Sequence, residues 1–293
     1  MGDQLVGHVA ALWRYPVKSM LGEQVPRLEV ESTGVCGDRG YALWDHASSR
    51  VASAKNPSLW SALLAYRATY VREPEPGCPL PPVTIEGPAP TSADAPGARA
   101  SSADADLNAR LSQQLGRRVS LLDRPPPGAS LDQYWPPVEG RAYQDVTNEL
   151  VLPAGSFFDA CSIHAISTAS LERLRQLQPG SDFAVERFRP NLLIAPCGDS
   201  EGFVEEGWVG GCLQIGDQLE LLVEGGCPRC VITTLAQGSL PNDIEILRTT
   251  ARHNHVVAGI RLSVRRSGAI AVGDPVRLIP LPPGGEPAGC HGA

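Results

Sequence analysis

Glycine and proline interrupt this chain so often that few segments can run long. Its 293 residues include 30 glycines and 27 prolines. The apolar runs between them are short. Residues 5–17 alternate and are rich in Val, Leu, Trp and Tyr. Residues 25–30 (VPRLEV) repeat at period two, and apolar runs at 41–44 and 63–71 follow closely. Period-two runs cut at short spacing favour antiparallel barrels or sandwiches over βαβ units. Further strands are predicted at 83–86, 119–122, 191–194, 213–223, 231–234, 260–264 and 276–279. Helical spacing is confined to 107–115, 168–177 and 243–252. The predicted class is mainly β with a few helices, an α+β chain.

At about 150 residues per domain, the length predicts two domains. Two Pro-rich stretches bear on the boundary. Residues 73–105 read as exposed loops around one short strand, and 124–140 (RPPPGASLDQYWPPVEG) reads as the crossing segment. The expected division is 1–125, a β-barrel-like domain, then 126–281, a second mainly β domain, then 282–293, a flexible Gly/Pro-rich tail.

Composition narrows the function. No run of about 18 apolar residues exists, which excludes a transmembrane helix. The N-terminus carries an acid early and does not read as a signal peptide. A net charge of −7 argues against a general nucleic-acid binder. Eight cysteines are scattered along the chain, and with no export signal they indicate a reduced, cytoplasmic protein. Lys18 and Lys55 are its only lysines; arginine supplies the other cations.

Four clusters could carry chemistry. The first is Cys227-Pro228-Arg229-Cys230 ahead of a β-branched run. Zinc would need a second Cys or His pair at matching spacing, and a thioredoxin-like dithiol would open a helix. Both stay open as minor readings beside two others: ordinary buried cysteines, or one thiolate ligating a metal with Arg229 beside it. The second cluster is Tyr15-Pro16-Val17-Lys18-Ser19, where a lysine and a hydroxyl at a strand end could contact phosphate or form a solvated turn. The third, Gly37-Asp38-Arg39, is a hairpin turn with a local ion pair or an anion contact. In the fourth, Arg187-Phe188-Arg189-Pro190-Asn191, two arginines at a strand start would share a face. A thiolate with Lys18, Arg39, Arg189 and Arg229 suits a phosphate-bearing cofactor with a soft metal.

In their order, YPVKS, GDR, FDACSIHAISTASL, FRPN, CPRCVITT and VGDPVRL resemble the MOSC superfamily of molybdenum-cofactor proteins. The resemblance is to its two-domain members, an N-terminal β-barrel followed by a MOSC β-barrel. That group includes the mitochondrial amidoxime-reducing component and its bacterial homologues. The resemblance implies that Cys230 is the molybdenum-ligating thiolate. It implies cofactor contacts at Lys18, Ser19, Arg39, Arg189, Asn191, Pro228 and Arg229, and an acid near the metal at Asp159, with a proton-relay role. Cys227 matches a frequent cysteine without a ligand role. Ala160 and Cys161 replace a Thr-Ser pair, and Arg261 replaces an aromatic; both departures bear on substrate identity. The implied function is molybdenum-cofactor-dependent reduction of N-hydroxylated compounds by oxygen-atom transfer. A separate reductase or ferredoxin-type partner would supply electrons, and neither nucleic acid nor membrane would be a partner. The alternatives are persulfide transfer in cofactor metabolism and a non-catalytic cofactor-binding module.

Overall fold

The computed structural model describes residues 3–88, 99–138, 144–159 and 161–279. The expected tail at 282–293, and Ala160, lie outside the described residues. Strands dominate, as the Gly/Pro punctuation requires. Seven of them close into a barrel: β1 (Gln4–Arg14), β2 (Ile163–Ser167), β3 (Leu192–Pro196), β4 (Cys212–Ile215), β5 (Leu219–Pro228), β6 (Val257–Arg266) and β7 (Pro275–Ile279). Around the ring the order is β1, β3, β2, β6, β5, β4, β7 and back to β1. The N-terminal strand is thus a stave of a barrel otherwise built from residues 163–279.

Six of the seven pairings are antiparallel, whereas β2 and β3 run parallel. That pair needs a crossover, and the helices Thr168–Leu177 and Val185–Phe188 provide it. Ser167 caps the first helix by accepting from the Ser170 amide. Its Leu171 and Leu174 pack with Phe183, Phe188 and Ile246 on the outside of the barrel. Inside, alternating residues such as Val9, Leu12, Ile163, Ile194, Leu213, Leu221, Ile260 and Val276 fill the core. Three-stranded sheets from residues 42–122 enclose a second core around Met20, Leu43, Trp60, Leu63, Ile85 and Leu111.

Local chemistry shortens or redirects several predicted elements. The run at 213–223 is a hairpin, broken where Gly216 takes a left-handed φ of 59°. Pro26 splits 25–30 into two strands. The run at 63–71 divides into a 3₁₀ turn, Ser61–Ala65, and a strand, Arg67–Tyr70. The β-branched Val231–Thr234 forms a 3₁₀ turn, not a strand. Its hydroxyls fold back, Thr233 Oγ1 onto the Cys230 carbonyl and Thr234 Oγ1 onto the Val231 carbonyl. The Pro-rich 124–140 stretch contains Ser130–Trp135, an alternating strand paired with Val146–Val151.

Candidate cofactor site

A cavity of about 360 Å³ lies between the barrel rim and the N-terminal sheets, and all nine residues to which the family resemblance gives a role line it. Lys18, Ser19 and Arg39 come from turns after β1 and after residue 35. Asp159 precedes β2, Arg189 and Asn191 lead into β3, Pro228 ends β5, and Arg229 and Cys230 follow it. Three lining residues hold left-handed backbone without being glycine: Ser19 at φ 64°, Arg39 at 48° and Arg189 at 52°. Such conformations cost of order 1–3 kcal/mol each and collect where geometry serves a site.

Tyr15 organises the first wall. Its ring is buried, and the guanidinium carbons of Arg39 and Arg189 lie 4.4 and 4.3 Å from its centroid. Asp38 ion-pairs with Arg39, while its other oxygen accepts from the Tyr15 amide at 2.7 Å. No carboxylate among the described residues pairs with Arg189. Burial, then the like charge of Arg39, brings its pKa down to about 10. Arg189 Nη1 and Arg229 Nε are buried polar atoms without a hydrogen-bond partner. Both arginines line the cavity without a carboxylate partner among the described residues, and such guanidinium charge suits an anion.

The second wall holds both lysines of the chain. Lys18 Nζ lies 2.5 Å from Asp159 Oδ1 and donates to the Phe157 carbonyl at 2.6 Å. Lys55 Nζ lies 3.0 Å from Asp159 Oδ2. Burial opposes ionisation of Asp159, but the charges of Lys18 and Lys55 outweigh it and hold the carboxyl well below the usual range. Burial pushes the Lys18 ammonium down despite Asp159, whereas at Lys55 burial is outweighed by Asp159 with other nearby groups, which raise it, so Lys18 is the more acidic of the two lysines.

Cys230 is half-buried on the cavity wall, in extended backbone ahead of the 3₁₀ turn. Cys227 is buried, and its sulfur accepts from Arg229 Nη1 at 3.0 Å. A hydrogen bond from Cys161, with His164 and Arg229 nearby, holds Cys227 well below an ordinary thiol, while Cys161 is pushed up. Among the described residues no three His, Cys, Asp or Glu side chains form a metal cage. A metal here would take fewer than three such ligands from the described residues and the rest from a bound group. A soft thiol with unpartnered cations for a phosphate fits a molybdenum–pterin group.

One expectation changes. Arg187 and Arg189 do not share a face, because residues 185–188 are helical. Arg187 points away, fully buried, and donates to the carbonyls of Asp182, Thr233, Leu235 and Pro241. Asn191 lines the cavity, but its amide ties strands together: Oδ1 accepts from the His164 amide and Nδ2 donates to the Trp13 carbonyl. The sequence reading passed over Lys55, Gln133, Trp135 and His164, which also line the site. For Lys55 a signal existed: it is one of only two lysines in the chain.

A seven-stranded barrel bearing this cavity, with a β-rich N-terminal half against it, is the architecture of a two-domain β-barrel protein. Residues 6–111 match the MOSC N-terminal beta barrel domain and residues 154–277 match the MOSC domain, so the chain belongs to the two-domain MOSC proteins. MOSC domains are associated with the molybdenum cofactor. The chain is 27% identical over 299 residues to "Mitochondrial amidoxime reducing component 2" of Rattus norvegicus, covering 93% of this chain and 83% of that protein. Solved structures that resemble it include the YUAD protein of Bacillus subtilis, 13% identical with a TM-score of 0.47 over 96% of this chain and 100% of that one. YiiM from Geobacillus stearothermophilus is 17% identical with a TM-score of 0.31 over 41% of this chain and 54% of that one. No helix among the described residues is long and apolar enough to cross a membrane.

Proposed function

We propose that this chain is a molybdenum-cofactor-dependent oxidoreductase that reduces N-hydroxylated compounds in the cytoplasm. The carrying observation is the placement of the Cys230 thiol in one cavity with the Arg39–Arg189 pair and the Lys18–Asp159–Lys55 cluster. When bound, the cofactor supplies two-electron oxygen-atom transfer. Cys230 would be the soft ligand to the metal. Lys18, Ser19, Arg39, Arg189 and Arg229 would hold the pterin phosphate by charge-assisted hydrogen bonds. Pro228 would shape the approach to Cys230, and Asn191 would keep β1, β2 and β3 in register beneath the group. Release of the oxygen as water needs protons. Lys18 Nζ holds one, with Asp159 as its ionised acceptor, so the relay is the pair. Electrons would come from a separate reductase or ferredoxin-type protein.

The test is protein purified from molybdenum-replete cells. Near-stoichiometric molybdenum and pterin are expected, with reductant-driven conversion of benzamidoxime to benzamidine. Cys230→Ser is expected to abolish turnover and Cys227→Ser to leave much of it. Equal loss from both would point to a dithiol mechanism, and protein free of metal and pterin would overturn the proposal. The acidified Cys227 supports a second reading, persulfide transfer. Its signature is an added sulfur on Cys227 or Cys230 by mass spectrometry, without bound molybdenum.

A further inference from the structure

One cation in the cavity has no role in the reading above. Arg261 sits on β6, opposite Gly225 of β5 on one side and His164 of β2 on the other. Its Nε donates to the Gly226 carbonyl at 3.1 Å, which fixes the plane of the guanidinium. Its Nη2 lies close against Gly225, 3.2 Å from where a Cβ at that residue would stand. No carboxylate among the described residues ion-pairs with it. Arg261 is therefore a positioned guanidinium in the wall of the cavity, anchored to Gly226, four positions before Cys230 in the chain.

Charge arithmetic gives that guanidinium a purpose. Six cationic side chains line the cavity: Lys18, Arg39, Lys55, Arg189, Arg229 and Arg261. Asp159 is the one carboxylate among the lining residues, and Asp38 stands behind Arg39. With a phosphate monoester at about −2 and the Cys227 and Cys230 sulfurs as thiolates, these charges roughly balance, and Arg261 is the one lining cation with neither a carboxylate among the described residues nor the phosphate assigned to it. The rest of the lining includes Trp135, Phe157, Phe158 and Phe188. Aromatic walls with a spare, oriented guanidinium suit a planar organic molecule carrying a carboxylate.

We infer that the substrates are anionic, N-hydroxylated compounds bearing a carboxylate, and that Arg261 is the residue that selects them. This rests on the reductase reading, and its test separates the two. Benzamidoxime and 4-carboxybenzamidoxime are compared on the cofactor-loaded protein, first by calorimetric binding without reductant, then by kcat/KM with reductant. The carboxylate compound is expected to be favoured about tenfold in both. Arg261→Gln is expected to bring the preference below about threefold, by losing affinity for the anionic compound alone. Arg261→Lys, which keeps the charge, is expected to retain part of it. Molybdenum content should not change in either variant. If both compounds turn over without preference, or the preference survives Arg261→Gln, the inference is overturned while the reductase reading stands. If the anionic compound binds preferentially through Arg261 but neither compound is reduced, the reductase reading falls and the anion site stands.

Discussion

The chain holds two lysines, and both contact the same carboxylate. A chain that uses arginine nearly everywhere keeps the compact ammonium at the two places where Asp159 is clamped. Asp159→Asn would leave two buried ammonium groups facing each other and is expected to cost about 1–3 kcal/mol in urea unfolding. The pH dependence follows from the depressed carboxyl. Its contribution is present above the unfolded-state value of about 3.9 and is lost as pH falls through the lower folded value. Acid unfolding of the wild type should therefore carry a component below about pH 4 that Asp159→Asn lacks. Tyr15 acts through its ring. Its hydroxyl is buried without a partner, so Tyr15→Phe should change stability by less than about 1 kcal/mol. Tyr15→Leu removes the surface on which Arg39 and Arg189 stack and should lower molybdenum retained per folded molecule, read by elemental analysis. These side chains were legible in the sequence as types and positions. Their pairing was not, because Lys18 and Asp159 stand 141 positions apart.

At the scale of elements, the site depends on the turn that carries Cys230. Arg187 holds it from behind, bonding the carbonyls of Thr233 and Leu235 and, further on, Pro241. Arg187→Ala would orphan these acceptors together and is expected to destabilise by about 3 kcal/mol or more, measured as a fall in Tm. Alternation does not foresee such an arginine, because period-two logic assigned it to the same face as Arg189. A four-residue helix and a left-handed cap at Arg189 intervene and turn the two side chains apart. The 3₁₀ turn at Val231–Thr234 has a similar cause. β-Branched propensity favours a strand, but the threonine hydroxyls bond carbonyls three residues back and close a turn. By contrast, the helix Thr168–Leu177 lies where its leucine spacing and Ser167 place it.

At the scale of the whole molecule, β1 ties the two halves together. It pairs with β3 through Gly7–Leu12 and with β7 through Gln4–His8, closing the ring. Residues 126–279 expressed alone are expected to show no cooperative thermal transition by circular dichroism, because the barrel lacks a stave and keeps open edges. Removing residues 1–14 from the full chain should have the same effect. The β-rich class, the main helices and the chemical inventory of the cavity were determined by the sequence itself, since periodicity, breakers and side-chain types act over a few residues. Closure of the barrel, the crossing of the N-terminal strand into it, the clamp on Asp159 and the stack on Tyr15 were decided only in three dimensions. These contacts join residues dozens to hundreds of positions apart. Their free energy comes from burial and charge pairing that exist only once the chain has closed on itself.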